Sequence, residues 1–307
     1  HIEGGDKTLR PVFKYLKTKY KIDFIDDYFP AVPDFSSSDV FLLENLRKYP
    51  EEISNDEAFS KHIASFADCY VNEAFSVSHR EHASVVGIPK ILPSYAGMSL
   101  EGEIRELSYA FNSDHPFFFV LGGAKFDTKL PLVRKFFKLA DSVFIGGALA
   151  NDFFRAQGLN TGNSLLSEKD LNFNEFLNEK LILPVDVVVE NNGRREIKKI
   201  EDIALGDVIS DVGPQSMELV RDQIAKAQFV LWNGPLGNYE RGFKESTLSL
   251  AKILADSDAT SIVGGGDTIA SIAELGLENK FSFVSTGGGA MLEFLANETL
   301  PGIDALN

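Results

Sequence analysis

The sequence predicts an α/β fold of two doubly wound, Rossmann-like parallel-sheet lobes joined by a long helix. Three observations support this fold class. Apolar runs alternate with amphipathic segments along the chain, a pattern typical of βαβ units. The length of 307 residues is enough for two lobes, each with its own core. Five apolar runs end in a glycine cluster that is followed by a helix start, as expected where parallel strands end at a sheet edge.

The first hundred residues contain short elements of both kinds. Helical periodicity predicts helices over Thr8–Tyr20 and Asp56–Phe66. Apolar runs predict strands at Ile22–Ile25, Asp39–Leu43 and Cys69–Val71. Leu100–Phe111 is predicted to be a longer helix that leaves the first lobe.

The second part of the chain carries the five strand–glycine–helix units. They lie at Phe117–Lys125, Val143–Ala150, Phe229–Gly237, Ser261–Thr268 and Phe281–Ala290. Further strands are predicted over Ile182–Glu190 and Asp207–Ile209, and the turn Asn191–Arg195 indicates an antiparallel flap. In one parallel sheet all five glycine turns would open on the same edge. Free backbone N–H groups and positive helix ends at that edge favour a phosphate ligand.

Composition limits the partners of the chain. The formal charge of -15 argues against a nucleic-acid partner, which requires a basic surface. No apolar run approaches the roughly 20 residues of a membrane-spanning helix, so no membrane partner is expected. The single cysteine, Cys69, excludes an intramolecular disulfide and is typical of a reducing cytoplasm. It is predicted to be a small buried apolar residue.

Two glycine clusters differ in charge: one is followed by an aspartate, and the other contains no acidic residue. Asp267 follows Gly264, Gly265 and Gly266, and it is either the N-cap of the next helix or the anchor of a magnesium ion beside phosphate. Ser285–Ala290 contains no acid. Its glycines, Gly287, Gly288 and Gly289, are predicted to form either an electropositive nest for a transferring phosphoryl group or a structural tight turn.

Lysines follow the first glycine cluster of the second lobe. Lys125 and Lys129 come after Gly122 and Gly123 and lie one helical turn apart, either facing a ligand or solvated. The spacing is not that of a P-loop. Nor does the chain contain GxGxxG followed about 20 residues later by an acid, which disfavours a dinucleotide dehydrogenase.

Two arginines of the first lobe are candidate anion ligands. Arg47 follows a predicted strand, and Arg80 lies in the segment Ser78–His82. Arginine in such positions is suited to bidentate capture of phosphate or carboxylate, although a surface ion pair explains each one equally well. His79 and His82 lack a third ligand in the sequence, so a zinc site is not expected.

Several segments closely resemble those of phosphoglycerate kinases, and they occur in the same order along the chain. The segments that resemble the family are LLENLR (Leu42–Arg47), YVNEAFSVSHREHAS (Tyr70–Ser84), LGGAKFDTKL (Leu121–Leu130), FIGGALANDF (Phe144–Phe153), DVGPQS (Asp211–Ser216), WNGPLGNYE (Trp232–Glu240), GGGDT (Gly264–Thr268), STGGGAMLEFL (Ser285–Leu295) and LPGIDAL (Leu300–Leu306).

The resemblance implies that each of two lobes binds a different substrate and that the lobes close on a hinge. Residues 1–98 would form an incomplete lobe for 3-phosphoglycerate, 99–113 the interdomain helix, 114–290 the Mg-nucleotide lobe, and 291–307 a segment returning towards the first lobe. The reaction would be reversible phosphoryl transfer between 1,3-bisphosphoglycerate and ADP, giving 3-phosphoglycerate and ATP. The implied cofactor is Mg²⁺, and the expected protein is a cytoplasmic monomer.

The resemblance also implies roles for individual residues. His1, Arg47 and Arg80 would bind the substrate, Lys125 and Gly287–Gly289 the transferring phosphoryl group, and Asp267 the magnesium ion. The nucleotide would be bound by Gly122, Gly123, Lys129, Gly146, Gly147, Asn233, Pro235, Glu240, Gly264, Gly265, Gly266 and Thr268.

The sequence departs from the family pattern at its beginning. About sixty residues precede the position of His1 in the family, which suggests that an N-terminal stretch of the natural protein is omitted here. Glu3, Gly4 and Gly5 stand where the family has a substrate arginine. A nucleotide-binding pseudoenzyme or fragment without transfer activity is therefore the alternative.

Overall fold

The computed structural model describes residues 8–124, 126–167 and 173–306. The chain divides into two compact units. Unit 1 comprises His1–Glu101 and Thr299–Asn307, and unit 2 comprises Gly102–Glu298. No helix among the described residues is long and apolar enough to cross a membrane.

Unit 1 contains short helices and two pairs of parallel strands, β1 with β2 and β3 with β4. Its core includes Tyr28, Phe59 and Ile63. Phe59 and Ile63 lie four residues apart on α3, which begins where the Asp56 side chain accepts a hydrogen bond from the Phe59 N–H at 2.8 Å. The elements up to the end of the helix that enters unit 2 are α1 (Arg10–Lys17), β1 (Asp23–Ile25), β2 (Phe41–Leu43), α2 (Pro50–Ile53), α3 (Glu57–Ala64), β3 (Tyr70–Asn72), β4 (Ser94–Ala96) and α4 (Met98–Ser108).

Unit 2 contains the longer strands and most of the helices. Its elements are β5 (Phe117–Leu121), α5 (Phe126–Leu139), β6 (Ser142–Ile145), α6 (Ala148–Ala156), β7 (Leu181–Ile182), β8 (Asp186–Asn191), β9 (Arg194–Lys199), β10 (Val208–Val212), α7 (Pro214–Ile224), β11 (Phe229–Asn233), α8 (Glu245–Ala255), β12 (Thr260–Gly264), α9 (Gly266–Leu275), β13 (Phe283–Ser285) and α10 (Gly289–Asn297). The chain then returns to unit 1 with α11 (Pro301–Asp304).

A six-stranded parallel sheet in the order β13-β12-β11-β5-β6-β7 is the centre of unit 2. Its register aligns Leu121 with Asn233 and Ile145, and Gly264 with Asn233 and Ser285, so five strands end at one edge. The prediction that the five glycine turns share a sheet edge is confirmed.

Both faces of this sheet are covered, as in a doubly wound fold. Phe118 and Val120 of β5 belong to a core cluster with Trp232, whereas Phe119, which points to the opposite face, contacts Phe136 of α5 with ring centroids 5.2 Å apart. Strands buried on both faces read as continuous apolar runs, which is why the sequence shows no alternation here.

The predicted strand Ile182–Glu190 is wrong as a single element. The structure divides it into β7, which pairs with β6 in the parallel sheet, and β8, which pairs with β9 in an antiparallel sheet of order β10-β8-β9. Pro184 lies in the break, and proline cannot donate a ladder hydrogen bond in a central strand. The predicted antiparallel flap is confirmed, and its hairpin turns at Asn192 and Gly193, which both have positive φ.

Two further predictions are modified by the structure. The helix predicted over Leu100–Phe111 is α4, Met98–Ser108, followed by a 3₁₀ turn over Tyr109–Phe111. Cys69 is exposed, so its prediction as a buried apolar residue is wrong. It precedes β3, a strand whose Val71 is also exposed, and the buried side chain of that strand is Asn72.

Candidate functional site

A cavity of about 650 Å³ lies at the carboxyl edge of the large sheet in unit 2. Most of the residues predicted to bind nucleotide, phosphoryl group or magnesium line this cavity. They are Gly123, Lys129, Gly147, Asn233, Pro235, Glu240, Gly265, Gly266, Asp267, Gly288 and Gly289. Residues from segments more than 160 positions apart therefore meet around one space.

The remaining residues of this group that the structure describes are not among the lining residues. They are Gly122, Gly146, Gly264, Thr268 and Gly287. The Thr268 side-chain oxygen accepts a hydrogen bond from Gly234 N–H at 3.1 Å. A Cβ on Gly122 would overlap the backbone carbonyl of Pro235, so this position requires glycine for close strand-end packing. Gly122 and Thr268 thus contact the backbone of the loop after β11.

Lys129 is a buried cation in the wall of the cavity. It is only 8% exposed, and its Nζ donates to the Gly122 carbonyl oxygen at 2.6 Å and to Asn233 Oδ1 at 3.4 Å. Burial lowers the pKa of Lys129 to about 8, and the carboxylate of Asp267 partly opposes that shift. The alternative of a solvated helix lysine is therefore wrong for this residue.

Asp267 is in the first turn of α9 but does not cap it. The N-cap position is held by Gly265, whose φ of 106° strongly favours glycine, and the helix begins at Gly266 without a side-chain cap. The N-cap alternative for Asp267 is therefore wrong. Its carboxylate lines the cavity beside the glycines and is electrostatically coupled to Lys129.

The glycine turn before α10 is not free of acidic groups, contrary to the prediction of a purely electropositive nest. Glu103 of α4 accepts hydrogen bonds from Ser285 Oγ at 2.8 Å and from Thr286 N–H at 3.1 Å. Ser285 Oγ in turn accepts from Gly287 N–H at 3.2 Å. Burial is the largest influence on Glu103 and raises its pKa, against the lowering effect of these hydrogen bonds. Sequence reasoning missed Glu103 because it lies 182 positions from Ser285.

The loop after β11 is held by its own side chains and by α8. The Trp232 indole N–H donates to the Gly234 carbonyl at 2.9 Å, and Leu236 N–H donates to Thr247 Oγ1 at 2.9 Å. Glu240, farther along the loop, is exposed and lines the cavity. The loop thus runs from a buried strand end to an accessible acid.

Unit 1 brings its two predicted arginines close to the same histidine. The pKa of His82 is lowered by burial first, and then by the charges of Arg47, Arg80 and His79. Arg80 Nε is buried and has no hydrogen-bond partner among the described residues. Arg80 is therefore poorly explained as a surface ion pair.

The segment that carries Arg80 is anchored by a buried acid. Glu52 is 2% exposed and accepts hydrogen bonds from Ser84 N–H at 2.9 Å and Ser84 Oγ at 2.6 Å. Sequence reasoning missed Glu52, because nothing local distinguishes it from the neighbouring Glu51.

His1, the segment Glu3–Gly5 and Lys125 lie outside the described residues. Among the residues that are described, no three His, Cys, Asp or Glu side chains are grouped so as to hold a metal ion. The magnesium site predicted at Asp267 would therefore need ligand oxygens in addition to this carboxylate.

A buried parallel sheet whose glycine-rich carboxyl edge, lysine and aspartate surround one cavity is typical of phosphate-binding α/β proteins. A profile of the phosphoglycerate kinase family matches residues 3–298. The chain belongs to the phosphoglycerate kinase family, a family of phosphotransferases.

Individual relatives agree with this assignment. The chain is 43% identical over 287 residues to the phosphoglycerate kinase of Coprothermobacter proteolyticus, an alignment covering 90% of this chain and 73% of that protein. It is 43% identical over 286 residues to that of Chlorobaculum tepidum, covering 88% and 72%. The solved phosphoglycerate kinase of Coxiella burnetii superposes with a TM-score of 0.82 at 34% identity, covering 100% of this chain and 83% of that one. That of Pyrococcus horikoshii gives 0.83 at 33% identity, covering 98% and 82%.

Proposed function

We propose that the chain catalyses reversible phosphoryl transfer between 1,3-bisphosphoglycerate and ADP, forming 3-phosphoglycerate and ATP, a reaction of glycolysis. The convergence of Lys129, Asp267 and the glycine turns on one cavity in unit 2 carries this proposal. Membership of the phosphoglycerate kinase family supports the choice of reaction.

The nucleotide is proposed to bind in this cavity, at residues 114–290. Three helices, α6, α9 and α10, begin beside it at Ala148, Gly266 and Gly289. Each helix N-terminus carries about half a positive charge and unpaired N–H groups. Together with Lys129 they supply local positive potential for phosphate in a chain whose net charge is -15.

The donor chemistry at Asp267 fits a magnesium ion. A single carboxylate combined with phosphate oxygens and water is a typical magnesium environment, and Asp267 is not occupied as a helix cap. The ion would neutralise phosphate charge that the carboxylate alone would repel.

The second substrate, 3-phosphoglycerate, is assigned to unit 1. Arg47 and Arg80, both beside His82, are the proposed ligands of its phosphate and carboxylate groups. The buried Arg80 Nε supports an anionic partner. Closure of residues 1–98 on the nucleotide lobe, through the helix at 99–113 and with the segment 291–307, is part of the proposal.

Catalysis is proposed to consist of positioning and electrostatic stabilisation, without a covalent enzyme intermediate. The acyl-phosphate oxygen is displaced from phosphorus by the terminal oxygen of ADP. Negative charge is distributed over the equatorial phosphoryl oxygens as this occurs. Lys125 and the N–H groups of Gly287–Gly289 would stabilise those oxygens.

A coupled assay of the 307-residue chain, run alongside calorimetric titration with ADP in MgCl₂, tests the proposal. Turnover of 3-phosphoglycerate and ATP together with ADP binding is expected. ADP binding without turnover would favour a nucleotide-binding protein without transfer activity, whereas binding of NAD in preference to ADP would refute the assignment.

We also propose a cytoplasmic monomer, which gel filtration and fractionation would check.

A further inference from the structure

The loop that presents Glu240 is tied to the antiparallel hairpin of β8 and β9. On β9, the Arg195 guanidinium lies 3.8 Å from the centroid of the Phe243 ring and donates to the Gly242 carbonyl at 3.3 Å. On β8, both carboxylate oxygens of Glu190 accept from Arg241 Nη2, at 3.2 and 3.0 Å.

Glu240 stands between two anchored neighbours. Tyr239, Glu240 and Arg241 form one 3₁₀ turn. The Tyr239 hydroxyl donates to Glu274 of α9 at 2.9 Å, while Arg241 is held by Glu190 of β8. The two residues flanking Glu240 are therefore fixed to two different elements, and Glu240 itself lines the cavity.

The contacts of Arg195 concern orientation more than folding. Its side chain is 48% exposed, and its ion pair with the exposed Glu245, at 3.8 Å, contributes little to stability. Phe243, in contrast, is 2% exposed, so the ring on which the guanidinium stacks is held in place by the residues around it. Arginine stacked on a fixed ring, with a hydrogen bond to the adjacent carbonyl, restrains the backbone directly after the 3₁₀ turn.

We propose that the β8–β9 hairpin, through Arg195 and Glu190, is a positioning element that holds Glu240 for hydrogen bonding to the ribose hydroxyls of the nucleotide. This inference rests on the proposed nucleotide site and deepens it. Arg195 does not line the cavity, so it acts through the loop and not by direct contact with the ligand.

Calorimetric titration of the full chain with ADP and with 2′,3′-dideoxy-ADP, both in MgCl₂, tests the inference. Arg195→Ala is expected to weaken ADP binding about three- to tenfold while leaving dideoxy-ADP binding within twofold of wild type. Glu240→Gln should give the same pattern. Because both changes remove one ribose interaction, the double variant should lose little more than either single variant.

Two further variants complete the design. Glu190→Gln, which releases Arg241, should weaken ADP binding in the same direction. Arg194→Ala is the matched control, because Arg194 is the adjacent arginine of β9 and points to the opposite face of the strand. It should bind ADP as wild type does. If Arg195→Ala melts early, Arg195→Lys, which keeps the charge but not the planar stacking, takes its place.

The outcomes separate this inference from the proposed function. No ADP binding by the wild type would overturn the proposed nucleotide site and, with it, the role of the hairpin. Normal wild-type binding, with Arg195 variants unchanged or with ADP and dideoxy-ADP weakened equally, would overturn the hairpin's role alone.

Discussion

Replacing Lys129 by methionine removes the cation buried in the cavity wall while keeping an unbranched side chain. The lysine donates to Gly122 O at 2.6 Å and lies beside Asp267 and the glycine turns. A hydrogen bond to a charged group contributes about 1.5–3 kcal/mol. If Lys129 contacts nucleotide phosphate, ADP affinity should therefore fall roughly 10- to 150-fold in Lys129→Met. Lys138→Met, at an exposed lysine of the same helix, is the control.

The lowered pKa of Lys129 adds a pH dependence to this prediction. With a pKa of about 8, the fraction of charged Lys129 falls about tenfold between pH 7 and pH 9. ADP binding by the wild type should weaken by about the same factor over this range, whereas binding by Lys129→Met should stay level. Calorimetric titrations at half-unit intervals measure both curves. Parallel curves for wild type and variant would refute the placement of Lys129 against the ligand.

The free energy of unfolding should rise with pH, whereas ADP binding should weaken with pH. The folded pKa of about 8 is below the ordinary lysine value of 10.5, so the unfolded chain binds more protons between these pH values. Stability attributable to Lys129 therefore rises with pH in that window. Relative to Lys129→Met, the wild type should gain about 3 kcal/mol of unfolding free energy from pH 7 to pH 11. Urea titrations of both proteins measure the difference, and an unchanging difference would contradict a buried, charged Lys129.

Three further predictions concern other parts of the site. Lys125→Ala should lower turnover more than tenfold with ADP still bound; unchanged turnover in the coupled assay would remove Lys125 from the mechanism. Asp267→Ala should weaken ADP binding about tenfold or more in MgCl₂ but not in EDTA; equal losses in both would exclude a metal-linked role. Glu103→Gln should lower the unfolding free energy by about 1–2 kcal/mol, because the amide nitrogen cannot accept from Ser285 or Thr286. An unchanged urea midpoint would show that these contacts do not hold the turn.

The strand-and-turn pattern of unit 2 could be predicted because its causes are local. A strand buried on both faces must be apolar throughout, and a chain that turns sharply at its end requires glycine, so β5, β11 and β12 are recognisable without a partner. Their common edge follows because parallel strands end on the same side of a sheet. The division of Ile182–Glu190 could not be predicted from an apolar run alone, because strands of two different sheets have the same composition there.

The chemistry of the site was predictable only in part. Asp267 could be recognised as a candidate metal anchor, yet the cap alternative was removed only by the backbone at Gly265. The burial of Lys129 depends on contacts with Gly122 and Asn233, and the second of these is 104 positions away. Burial is a property of such packing, and no local pattern reports it.

The sequence by itself determined the α/β class, the five glycine turns and the types of side chain available to bind phosphate, since these depend on neighbours along the chain. Tertiary structure alone decided that Lys129 is desolvated, that Glu103 reaches the turn at Ser285, and that Arg195 is stacked on Phe243. Each of these involves residues distant in sequence, and the strength of a charge or hydrogen bond depends on how much water its surroundings exclude.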